Sequence, residues 1–130
     1  MKHTLNRNER LHSKKLIDQL FEKGDSFFVY PFKVFSLKAE PNLPYPAQLF
    51  ISVPKRNIKQ ANDRNKIKRL IREAYRLNKA IIADQPKSRG NQLVFGLIYT
   101  QKTILSFAEI ERKIILILQR LNEQDEQAAG

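Results

Sequence analysis

Residues 61–82 read ANDRNKIKRLIREAYRLNKAII. Ile67, Leu70, Ile71, Ala74, Leu77 and Ile81 recur at intervals of three, one, three, three and four, the repeat of a single apolar stripe on an α-helix. Asp63 stands near the start, where the positive end of the helix dipole favours a carboxylate. The spacing therefore predicts one long amphipathic helix. At about 100° per residue, Arg64, Lys68, Lys79, Arg72, Asn65, Arg76 and Arg69 fall in an arc of about 140° opposite the apolar set, with Glu73 at its border.

Working outward, residues 13–23 carry Leu16, Ile17, Leu20 and Phe21 at helical spacing, with Ser13 placed to cap the start and Gly24 to end it. From Phe27 to Lys38 the composition becomes aromatic and β-branched, with Phe32 and Val34 alternating against Lys33 and Phe35, so strand is expected, broken at Pro31 into a short edge piece and a longer one. Pro41, Pro44 and Pro46 mark a turn, and Ala47 to Val53 is expected as the returning strand of a hairpin. After a loop over 86–91, residues 92–100 form an apolar strand. Ser106 and Glu109 make a capping box ahead of Phe107, Ile110, Ile114, Ile117, Leu118 and Leu121, which sets a last helix. The expected order is α-β-β-β-α-β-α, a single α+β sandwich with its helices on one face. One domain over residues 1–122 is expected, with 123–130 as a flexible acidic tail.

The charge decides the class of partner. The chain has 24 Lys and Arg against 13 Asp and Glu, a formal net charge of +11. Ten of those cations lie between Lys55 and Lys79, facing only Asp63 and Glu73. A patch of one sign, rich in planar guanidinium groups, suits the phosphates of a nucleic acid. Such contacts confer affinity and salt dependence rather than sequence reading. No apolar run reaches the roughly 18 residues of a membrane span. The charged N-terminal stretch is not followed by a signal-like apolar region, so secretion is not expected. With no cysteine in the chain, disulfides and thiolate metal sites are excluded.

The stretch RNKIKRLIREAYR, from Arg64 to Arg76, resembles the arginine-rich signature helix of the bacterial ribonuclease P protein family. Arg10 and Leu11, the helix ending in Phe21 and Gly24, and SVPKR from Ser52 to Arg56 extend the likeness over most of the chain, from about Arg10 to Leu121. The resemblance implies an unusual left-handed β-α-β crossover, contrary to the general rule. It further implies that Arg64, Asn65, Lys68, Arg69, Arg72 and Arg76 face a catalytic RNA, as do the basic residues Lys55 and Arg56. Ile17, Phe21 and Phe35 would line a cleft for the single-stranded 5′ leader of precursor tRNA, Ile17 standing where other members often carry Phe. Asn62 occupies a position usually apolar in the family. The implied cofactor is Mg²⁺ bound mainly by the RNA partner, the location cytoplasmic, and no obligate protein partner is expected.

Nothing in the chain suggests that the protein itself breaks bonds. His3 and His12 lie at the N-terminal end, and no carboxylate group has metal-ligand spacing. Catalytic residues in the protein, and a protein-held metal, are therefore not expected. Composition alone also suits a ribosomal or RNA-chaperone protein. A DNA-binding module using the 61–82 helix is a further alternative, although no helix-turn-helix turn precedes Ala61.

Overall fold

The structure, a computed structural model, describes residues 10–11, 13–39, 47–83 and 92–129. His3, His12, the proline turn at 41–46 and the loop at 86–91 lie outside the described residues. The elements are α1 (Lys14–Lys23), β1 (Asp25–Val29), β2 (Phe32–Ala39), β3 (Ala47–Ser52), α2 (Ala61–Asn78), α3 (Ala80–Ala83), β4 (Gln92–Tyr99) and α4 (Phe107–Ala129). The α+β class and the expected order hold, with the short α3 added where the long helix breaks at Lys79. The last helix runs on through 123–129, residues expected as tail, although no apolar periodicity continues there.

The sheet order is β1-β2-β4-β3, so the expected hairpin between the second and third strands is not formed. β4 separates them, antiparallel to β2 and parallel to β3. The physical reason is the content of β4. Leu93, Val94, Phe95, Leu97 and Tyr99 are all buried, and a strand without a polar face belongs in the middle of a sheet. β3 and β4 are then joined through α2 and α3 as a β-α-β unit.

The helices do not share one face. Phe32, Val34, Leu49, Phe95, Leu97 and Tyr99 pack with residues of α2 and α4 in the main core. Leu20 of α1 packs with Leu11 and Val94 on the opposite face, with Phe35 and Phe50 at the margin. A strand apolar on both sides needs cover on both, and α1 supplies the second. Gly96 makes this possible, because a Cβ there would lie 3.1 Å from Leu20 Cδ2 and 3.6 Å from Phe50 Cδ2.

Local sequence sets the helix ends as expected. The Ser13 hydroxyl accepts from Leu16 N at 3.3 Å, and the Ser106 hydroxyl accepts from Glu109 N at 3.2 Å. Gly24 ends α1 for a different reason from the usual left-handed cap, since its φ is −72°. A Cβ at Gly24 would meet Leu20 O at 2.4 Å and Ser36 O at 2.8 Å, both backbone atoms. Helix end and strand β2 are therefore in direct backbone contact. Gly24→Ala is expected to destabilise the fold by about 1–3 kcal/mol, the range for overpacking. Urea unfolding followed by circular dichroism checks this; a midpoint equal to that of the wild type would refute the close contact.

Candidate nucleic-acid interface

The buried side of α2 keeps most of the stripe that the apolar spacing marks, with Leu70 and Ile81 packed at its margin, but shifts away from Leu77 toward Tyr75. Ile67, Ile71, Ala74 and Tyr75 are buried, whereas Leu77 is 39% exposed. The helix is thus turned by roughly 50–70° from the expected orientation at about 100° per residue. Tyr75 explains the rotation. Its ring packs edge-to-face on Phe95 at 5.7 Å between centroids, and an aromatic side chain buries more area than a leucine and gains from the ring contact as well.

This rotation sorts the expected cationic arc into groups. Lys79, the C-cap residue at which α2 breaks, is buried. Arg64 is half-buried, and its Nη1 donates to the carbonyls of Ile58 at 3.0 Å and Lys59 at 2.8 Å. That guanidinium ties down the segment leading into α2, whose N-cap residue Gln60 provides no side-chain cap. Arg76 donates from both Nε and Nη2 to the carboxylate of Glu73. The hydrogen bond from Arg76 holds Glu73 below the usual carboxylate range and raises the arginine. An exposed pair of this kind contributes little to stability, so a phosphate can compete for Arg76. Asn65 and Arg69 are exposed, and Lys68 and Arg72 half-exposed, on the outward side.

Arg10, missed as a site residue by the sequence reading, extends this surface. It bridges to Leu49 beside β3, and the Leu11 amide donates to Leu49 O at 2.8 Å. Burial, and then the positive field of Arg10, lower the pKa of Arg72. Two guanidinium groups near each other at the β3 edge make a local field suited to an anion. Only the pairing of residue 10 with β3 reveals this neighbour, because the two arginines are far apart in sequence.

Lys55 and Arg56 are exposed on the turn after β3, ahead of the N-terminal end of α2. Arg56 lines an open pocket of about 530 Å³ together with Lys59, Asp63 and Lys102. Asn57 Nδ2 donates to Tyr99 O at 3.1 Å, fixing the turn to the end of β4. The Tyr99 hydroxyl in turn donates to Thr103 O at 2.7 Å and accepts from Leu105 N at 3.1 Å. Lys102 reaches this pocket through that anchored loop, which sequence spacing does not show.

On the other side of the sheet, Phe21, Phe35 and Ile17 do come together beside α1. Phe21 is 39% exposed; its ring lies 4.8 Å from Phe35 and 5.9 Å from Phe50, edge-to-face in both cases. Ile17 and Phe35 are half-buried. Phe50 completes the group and was not foreseen. Phe35 and Phe50 flank Gly96 in one row across β2, β4 and β3, so only the true strand order makes them neighbours. Lys33 Nζ sits 5.3 Å from the centre of the Phe35 ring. An aromatic platform beside a cation is the surface that holds single-stranded nucleic acid.

The division of the arginines is testable by stability alone. Arg64→Ala should lower stability by about 1–2 kcal/mol, leaving two backbone carbonyls without a charged donor, whereas Arg69→Ala should change it by less than about 0.5 kcal/mol, as expected for an outward residue. Thermal melts of the two variants check this, and equal losses would contradict it.

The ribonuclease P family matches residues 5–122 of the chain. The ribonuclease P protein component of Porphyromonas gingivalis is 35% identical over 109 residues, spanning 83% of this chain and 79% of that protein. That of Chlorobium phaeobacteroides is 30% identical over 128 residues, spanning 91% and 88%. The fold is also similar to the solved RNase P protein of Thermotoga maritima, with a TM-score of 0.68, 26% identity, and coverage of 86% of this chain and 96% of that one. The Staphylococcus aureus RNase P protein shares the fold at a TM-score of 0.68 and 24% identity, over 87% and 94%. Sequence likeness across nearly the whole chain and likeness of fold agree, and the chain belongs to the bacterial ribonuclease P protein component family.

Proposed function

We propose that this chain is the protein subunit of ribonuclease P, which binds the catalytic RNA and the 5′ leader of precursor tRNA and so promotes endonucleolytic removal of that leader. The observation that carries the reading, beside family membership, is how two different surfaces meet at one edge of the sheet. Arg10 lies in the field of Arg72 on the α2 side, while the next residue, Leu11, packs with Leu20 and Val94 beneath the aromatic cleft. An RNA docked on α2 and a strand lying over Phe21, Phe35 and Phe50 would therefore be held side by side.

In this reading Asn65, Lys68, Arg69, Arg72 and Arg76, with Arg10, take phosphates of the catalytic RNA. Arg64 organises the entry to the helix, and Lys55 and Arg56 extend the cationic surface. Bases of the leader stack in the cleft. The protein's part in rate is positional: holding leader and RNA in one geometry makes their encounter effectively intramolecular. Among the described residues no three His, Cys, Asp or Glu side chains are grouped to hold a metal ion. The Mg²⁺ belongs to the RNA partner, where its chemistry is activation of water and stabilisation of the leaving oxygen. In this reading the protein acts on precursor tRNA in the cytoplasm. No described helix is long and apolar enough to cross a membrane.

Cleavage of a precursor tRNA by the cognate catalytic RNA at low Mg²⁺ should be strongly stimulated by the protein, with the correct mature 5′ end. Arg69→Ala combined with Arg72→Ala should abolish that stimulation and reduce the salt dependence of RNA binding by about two units of slope, one for each lost phosphate contact. Absence of stimulation together with tight RNA binding would favour a ribosomal or chaperone role. Phe35→Ala should raise KM for long-leader substrates about fivefold or more, from the loss of one stacked base. An equal rise for leaderless substrate would remove the leader from the cleft.

A further inference from the structure

Phe28 is 56% exposed, the most exposed of the large apolar side chains among the described residues. It lies on β1, which pairs with β2 alone and forms the open edge of the sheet. An exposed aromatic on an edge strand invites self-association, so its presence calls for a use. Its sequence neighbour Phe27 points to the other face, where the Arg120 guanidinium lies 4.1 Å from the ring centre.

Register puts Phe28 on the cleft face. It is directly opposite Lys33, and directly opposed residues of an antiparallel pair share a face. Lys33 in turn has its ammonium 5.3 Å from the Phe35 ring, and Phe35 is two residues on along the same strand. Phe28 and Phe35 are diagonal neighbours, about 7–8 Å apart at the backbone, with Lys33 beside both.

We infer that Phe28 and Lys33 form an outer subsite of the leader cleft, stacking and neutralising leader nucleotides farther from the cleavage point than those on Phe21, Phe35 and Phe50. The inference rests on the function proposed above and adds a direction to it. The β3 side of the cleft is taken by the Arg10–Leu11 segment, hydrogen-bonded to β3, and lies next to the α2 cations that face the catalytic RNA. The β1 side is open. A leader starting near the RNA therefore crosses the sheet from β3 toward β1 and reaches Phe28 last. The occupant is RNA rather than a second copy of this chain, because a body of net charge +11 repels its own kind and attracts a polyanion.

The test uses the holoenzyme, reconstituted with its cognate catalytic RNA, and measures Kd for precursor tRNAs whose leaders lengthen one nucleotide at a time. For the wild type, affinity should rise with leader length and then level off. With Phe28→Ala the plateau should come one or two nucleotides earlier, leaving the longest leaders bound about fivefold or more weakly and the shortest unchanged. Phe28→Tyr should restore the wild-type curve, and Lys33→Gln should share part of the loss. Phe35→Ala, by contrast, should lose affinity from shorter leaders onward. A Phe28→Ala curve identical to the wild type, beside an impaired Phe35→Ala, would overturn the outer subsite and leave the cleft intact. Uniform weakening at all lengths, or a changed oligomeric state, would overturn it in favour of a structural or self-association role. If Phe35→Ala were also indifferent to leader length, the cleft assignment would fall as well.

Discussion

β4 has no side that can be shown to water. Leu93, Phe95, Leu97 and Tyr99 belong to one core, Val94 to the other, and all are buried. Each buried large apolar side chain contributes about 1.5–3 kcal/mol, so the strand must be covered on both faces and flanked on both edges. This requirement places β4 between β2 and β3, brings α2 and α4 to one face and calls α1 to the other. Gly96 then sets how closely α1 can lie, and the row of Phe35, Gly96 and Phe50 becomes the floor beside it. The cleft follows from how the double cover is achieved.

The same arrangement separates the cationic and the aromatic surfaces without isolating them. The α2 cations and the aromatic group are on opposite faces of the sheet, yet the Arg10–Leu11 segment wraps the β3 edge and takes part in both. Charge acts over about 8–10 Å in ordinary salt, so on the proposed function an RNA on the α2 side would influence a strand near that edge. Stacking acts only at contact. On the proposed function the chain would combine a broad electrostatic hold with a short-range one, and the second would distinguish a single strand from a duplex because unpaired bases expose their faces.

Local structure was legible in the sequence wherever it depended on near neighbours. Ser13 and Ser106 cap as their positions suggest, the long helix spans nearly the expected residues, and the five-residue edge strand before Pro31 is present. What depended on pairing was not legible. A hairpin between β2 and β3 is the economical reading of two strands around a proline turn, and only the doubly apolar character of β4 argues for its insertion between them. The α2 face was legible except at one margin: Leu77 was counted as core and Tyr75 was not, although the tyrosine ring outweighs the leucine in area. Of the candidate cleft, Ile17, Phe21 and Phe35 were found, but Phe50 required the strand order, and Arg10 required its bridge to β3. Arg64 was placed with the RNA-facing residues by its position in the motif; its bonds to Ile58 and Lys59 give it a structural duty that position alone cannot reveal.

The edge-to-face contacts of Phe21 with Phe35 and Phe50 mean that the rings available to bases are also the rings that seal α1 against the sheet. A substitution at any of these three rings therefore alters the seat of α1 together with the surface offered to a base. Phe28, on the open edge strand, is not part of that seal. On the proposed function, a change at the outer strand would alter the hold on a leader without disturbing the packing of α1, whereas a change at the inner rings would disturb both.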